Sequence, residues 1–108
     1  MDRLIEIAKK IAFRSTNKNF LHGALIIRNG NILSKAFNHE TLHAEYNSLK
    51  RLWPNKRRGC EVISIRVTST GLLAMAKPCQ ACERFLRDNG IKTVYYSTAD
   101  RQVARMAL

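Results

Sequence analysis

Asn29-Gly30 constrains this chain more than any other feature, because it separates two apolar, β-rich runs at 22–28 and 31–37. Both residues of a tight two-residue turn must accept positive φ, so Asn-Gly between such runs predicts a β-hairpin. Ahead of it, Leu4, Ile5, Ala8, Ile11 and Ala12 recur at helical spacing over 2–14, with Lys9, Lys10 and Arg14 outside that stripe. That pattern predicts an amphipathic helix. A second helix is expected over 43–53, with Thr41 as its cap and Pro54 just beyond its end. The basic stretch 55–59 then reads as a loop.

EVISIRVT at 61–68 alternates apolar and polar residues and predicts a third strand. A turn at 69–71 leads towards Ala76-Lys77-Pro78, a third helix over 79–89 and a fourth strand over 91–97. The order α-β-β-α-β-α-β implies a layered α/β domain. No repeat, low-complexity tract or Pro/Gly-rich linker interrupts the 108 residues, so one domain is expected over 1–108. After Ser97 too few residues follow for a crossover to a parallel strand, which needs about a dozen. That leaves an antiparallel return over 102–105 after a turn at 98–101, a short terminal helix or a frayed tail, and of these the return is expected.

Composition narrows the chemistry. Nineteen Lys plus Arg against eight Asp plus Glu give a formal net charge of +11, which suggests an anionic partner such as a nucleotide, nucleic acid or acidic protein. No apolar run approaches the ~18 residues of a membrane span, and the start MDRLIEIAKK lacks the apolar stretch of a secretory signal. Three cysteines in that context suggest a reducing, cytoplasmic compartment and metal or catalytic use.

Two short motifs carry chemistry: His43-Ala44-Glu45 and Pro78-Cys79-Gln80-Ala81-Cys82. His43, Cys79 and Cys82 form a three-ligand zinc set, and three protein ligands leave the fourth tetrahedral position to water, the catalytic pattern. Cys-x-x-Cys in the first turn of a helix points both thiolates off the helix end, where the dipole favours their ionised form. With His43 opening the other helix, two helix N-termini converge on one ion. Glu45 then serves as proton acceptor for the water and donor to a nitrogen leaving group.

Other readings compete. Cys-x-x-Cys at a helix start also fits a redox site, although no aromatic precedes Cys79 and His43-x-Glu45 would be unexplained. A structural zinc site wants a fourth ligand, for which Cys60 and His39 are the spares. A zinc-stabilised nucleic-acid-binding module without catalysis has no use for Glu45. The basic residues Lys9, Lys10, Arg14, Lys18 and 56–58 offer phosphate contacts, and Tyr46, Trp53, Tyr95 and Tyr96 offer stacking surfaces. Tyr46 and Trp53, seven apart on one predicted helix, are expected in the core, whereas Tyr95 and Tyr96 should face opposite sides of the sheet.

His-x-Glu followed by Pro-Cys-x-x-Cys is the signature of the zinc nucleobase deaminases. At these residues the chain resembles the zinc-dependent cytidine/deoxycytidylate deaminase superfamily, from about Phe20 to Ser97. HGALIIRNGNILSKAFN matches the hairpin, LHAEYNSL a helix, EVISIRV a strand, and KPCQACERFLRDNGIKTVYYS a helix and strand. The resemblance implies a three-layer α/β/α cytidine-deaminase-like fold, with a mixed sheet of four to five strands and helices on both faces. It implies Zn²⁺ on His43, Cys79 and Cys82, with Glu45 as the proton shuttle. Ala44 and Pro78 would contact the base through their backbone, Asn38 would meet the sugar, and His22 would line the base pocket. The short connection from Asn38 to His43 implies a trimmed rim and an open site.

The implied activity is hydrolytic conversion of cytosine to uracil in free cytidine, deoxycytidine or their monophosphates, with zinc-bound hydroxide attacking C4. That is a step of pyrimidine metabolism. The alternative is deamination of cytosine or adenine in single-stranded DNA or RNA. A homo-oligomer is expected by the same resemblance.

Overall fold

The computed structural model describes residues 1–15, 21–38 and 44–108. The hairpin forms where Asn-Gly requires it. Strands β1 (Leu21–Arg28) and β2 (Asn31–Phe37) pair antiparallel around Asn29 at φ +51° and Gly30 at φ +80°. Strand β3 (Glu61–Val67) lies antiparallel on the other side of β1, and β5 (Thr93–Ser97) runs parallel to β3. The chain then turns, with Thr98 N–H donating to Gln102 O at 2.9 Å. It returns as β6 (Val103–Ala107), antiparallel to β5. The expected antiparallel return is thus present, displaced towards the C-terminus by one or two residues.

Among the described residues the sheet is mixed and six-stranded, in the order β2-β1-β3-β5-β6, with two-residue β4 (Leu73–Ala74) paired to the end of β3. The sequence had shown β4 only as part of a loop. Its two residues are set by the turn at Gly71 and by Ala76 N–H donating to Ser97 O at 2.9 Å, neither of which leaves a periodic signal.

Alternation along β1 and β3 sends side chains to two cores. Leu25, Ile27, Ile63, Ile65 and Val67 pack on helix α1 (Asp2–Ala12) through Leu4, Ala8, Ile11 and Ala12. Ile26, Val62 and Val94 pack on the opposite face against Leu49 of α2 (Ala44–Lys50) and Leu86 of α4 (Gln80–Asp88). This is the layered architecture with helices on both faces. Tyr95 joins the α1 face and Tyr96 the α2/α4 face, as strand alternation requires. Gly23 lets α1 approach β1: a β-carbon there would lie 2.5 Å from Ala8 O and 2.7 Å from Ala12 N.

The second helix is shorter than its apolar pattern predicts. α2 stops at Lys50, and α3 (Pro54–Arg57) opens separately because proline suits a first helical position. Trp53 therefore precedes α3 instead of continuing the face of α2. It is 75% exposed, and Tyr46 is 42% exposed with its ring edge-to-face on Phe85 at 5.2 Å. The expectation that both aromatics are core is overturned: the break takes Trp53 off the α2 face, and Tyr46, within α2, lies at the surface over Phe85. The predicted cap Thr41 lies outside the described residues. No helix among the described residues is long and apolar enough to cross a membrane.

Candidate active site

α2 places Glu45 in its first turn, 2% exposed, against the middle of β3. The helix is fixed there by Leu49 in the core and by Ser34 Oγ of β2, which donates to Ser48 O at 2.6 Å. Burying a carboxylate is costly unless its oxygens receive hydrogen bonds. Glu45 Oε1 is supplied: Ser64 Oγ donates to it at 2.9 Å, and His22 Nε2 lies 3.5 Å away. Glu45 Oε2 is buried and has no hydrogen-bond partner among the described residues. A fold gains nothing from such an atom. It suits a group that must accept a proton from a ligand.

Cys79 caps the N-terminus of α4 and Cys82 lies in its first turn. Cys79 is held below the ordinary thiol range, chiefly by the Cys82 backbone N–H and then by the Cys82 thiol, with the Ala81 N–H adding to the effect. Burial and the Glu45 carboxylate oppose that shift. Cys82 is pushed up to about 12, first by burial, then by its hydrogen bond to Cys79 and by the negative charges of Glu45 and Cys79. Glu45 thus lies near enough to act electrostatically on both thiols. Metal-free, two thiols beside a carboxylate repel in their charged forms. A divalent cation is what such a donor set fits, and paired cysteines suit zinc.

The approach to Cys79 is pinned from β3 and β5. Ser64 Oγ is 3.2 Å from Ala76 O, and Ser97 Oγ donates to Ala74 O at 2.5 Å. Pro78 is buried just ahead of the cap, and Ala44 is buried beside Glu45. Asn38 is buried at the end of β2, where its Oδ1 accepts from the His22 backbone N–H at 3.1 Å and from Ser15 Oγ. His22 turns inward, its side chain 13% exposed, with Nε2 2.6 Å from Ser64 Oγ.

Among the described residues no three metal-binding side chains converge. His43 and His39 lie outside the described residues, and Cys60 is buried in the α2/α4 core, its Sγ 3.2 Å from Lys56 O. Ser64 was not singled out from sequence. Its signal was a hydroxyl at a strand position whose same-face neighbour, Val62, is aliphatic core.

Residues 1–98 match the family described as the cytidine and deoxycytidylate deaminase zinc-binding region. The chain belongs to this family. A search of the curated proteins found no match. Among solved structures, the dCMP deaminase of cyanophage S-TIM5 in its apo form is similar at a TM-score of 0.73 and 24% identity, covering 91% of this chain and 82% of the phage chain. Cytidine deaminase from Burkholderia pseudomallei gives 0.74 at 21% identity, covering 98% and 91%. RibD from Acinetobacter baumannii gives 0.67 at 18% identity, over 89% of this chain and 27% of that one. These likenesses establish a cytidine-deaminase-like α/β fold. The family is a zinc-binding deaminase family, in agreement with the metal and the class of hydrolase expected from the sequence.

Proposed function

We propose that this protein hydrolytically deaminates cytosine to uracil in free cytidine, deoxycytidine or their monophosphates. The observation that carries the reading is Glu45 Oε2, a buried carboxylate oxygen with no donor among the described residues, whose charge reaches two cysteines at a helix start. In this reading His43, Cys79 and Cys82 hold Zn²⁺, which when bound supplies the Lewis acidity that makes water a nucleophile near neutral pH. Glu45 accepts a proton at Oε2 from the attacking water and returns it to the departing amino group. One water is consumed and one ammonia leaves, so the exocyclic nitrogen of C4 is replaced by oxygen. Ala44 and Pro78 offer backbone groups to the base. Asn38 and His22 shape the site wall, on which the sugar and base rest.

The substrate class is supported by similar proteins. The phage enzyme has been solved in complex with dCMP and dUMP, and the Burkholderia protein is a cytidine deaminase. A net charge of +11 suits an anionic substrate. The test is a mixture of cytidine, deoxycytidine, their monophosphates, adenosine and a single-stranded oligonucleotide, incubated with zinc-replete protein and followed by mass spectrometry. Conversion of a free cytosine nucleoside or nucleotide, with the oligonucleotide untouched, is the expected result.

A second reading is favoured by the exposure of Trp53 and Tyr46 among basic residues: deamination within single-stranded DNA or RNA, the aromatics stacking on bases. Conversion confined to the oligonucleotide selects it. A homo-oligomer belongs to the same proposal and is read by sedimentation.

A further inference from the structure

Ser64 is fully buried in β3, and its Oγ has three polar neighbours: His22 Nε2 at 2.6 Å, Glu45 Oε1 at 2.9 Å and Ala76 O at 3.2 Å. A hydroxyl has one proton to donate and two lone pairs to accept with, so these contacts cannot all be donations. A carboxylate is the stronger acceptor, because a hydrogen bond to an ionised group is roughly twice as strong as a neutral one. It is also nearer than the carbonyl. The proton goes to Glu45 Oε1. The contact with His22 is then a donation from Nε2–H to Ser64 Oγ, which sets the neutral imidazole as the Nε2–H tautomer.

We propose that Ser64, held by His22, is the positioning residue of Glu45: it occupies Oε1 and so reserves Oε2 as the atom that takes and returns the proton. This rests on the reading of Glu45 as proton shuttle. The three side chains come from β1, β3 and α2, so the carboxylate is referenced to the sheet and not only to its own short helix. Through Ala76 the same hydroxyl touches the segment that leads into Cys79.

The test compares Ser64→Ala, Ser64→Thr, His22→Ala and His22→Gln in the zinc-replete protein. Loss of the hydroxyl should lower kcat about 10- to 100-fold, the range for a supporting partner of a site, with KM within about twofold, the split expected when only transition-state stabilisation is lost. Ser64→Thr, which keeps the hydroxyl, and His22→Gln, which keeps a donor, should recover most of it. If Ser64→Ala fails to fold, Ser64→Cys replaces it, with the same loss expected from its weak donor.

A double-mutant cycle of Ser64→Ala with Glu45→Ala, read by Tm in metal-free protein, is independent of turnover. Ser64→Ala should lower Tm clearly more when Glu45 is present. Unchanged kcat in Ser64→Ala, or an equal Tm loss in both backgrounds, overturns the proposal. A wild-type protein inactive on every cytosine substrate overturns the proton-shuttle reading instead, and the cycle then decides whether Ser64 holds Glu45.

Discussion

Across the first turn of α4 the Cys82 thiol shares a hydrogen bond with Cys79, and the two are driven in opposite directions: Cys79 below the ordinary thiol range, Cys82 up to about 12. Since the thiolate is the nucleophile, metal-free protein at about pH 8 should be alkylated by iodoacetamide at Cys79 and hardly at Cys82. Cys60, buried in the α2/α4 core, should be slow as well. Added zinc should protect Cys79 and release protons on binding. Peptide mapping by mass spectrometry checks this, and equal labelling of Cys79 and Cys82 contradicts it.

Glu45→Gln is nearly isosteric and keeps an oxygen able to accept from Ser64, but it cannot take a proton. Turnover should fall roughly 10²–10⁴-fold, the usual contribution of general acid–base catalysis. Zinc content and Tm should stay near wild type. Retained turnover would remove the carboxylate from the chemistry.

Gly23 is a structural demand of α1 on β1. A methyl group there would press on Ala8 O and Ala12 N, which are backbone atoms and cannot rotate away. Gly23→Ala should therefore cost about 1–3 kcal/mol, as overpacking does, read from urea unfolding. Because His22 precedes it, kcat should fall as well.

Trp53 is the most exposed large apolar side chain among the described residues, so little stability depends on it. Trp53→Ala should change stability by no more than about 0.5 kcal/mol and leave mononucleotide turnover as it is. If the protein acts on strands, the same substitution should weaken oligonucleotide binding by about 1–3 kcal/mol, one stacked base. Fluorescence anisotropy separates the two cases.

The chain's local signals determined the elements. Asn29-Gly30 made the hairpin, the stripe from Leu4 to Ala12 made α1, alternation made β3, and Cys79 ahead of an amphipathic run marked the start of α4. Each depends on residues a few positions apart, which is the range over which φ/ψ preference and periodicity act. His43, Glu45, Cys79 and Cys82 stood out as candidates for a related reason: metal and acid–base chemistry demands particular residue types at fixed short spacings. Even the antiparallel sense of β6 followed from the shortness of the connection.

Only the tertiary structure decided the rest. Ser64 is 19 residues from Glu45 and 42 from His22, and its one local mark, a hydroxyl on the face of an aliphatic neighbour, names neither partner. Trp53 was misplaced because one helix face was extrapolated across a break that Pro54 turned into a new helix. Which carboxylate oxygen of Glu45 meets Ser64 is settled by packing α2 onto β1 and β3. Contacts of that kind come from the distance between chain segments in space, which residue order fixes only once the whole sheet is assembled.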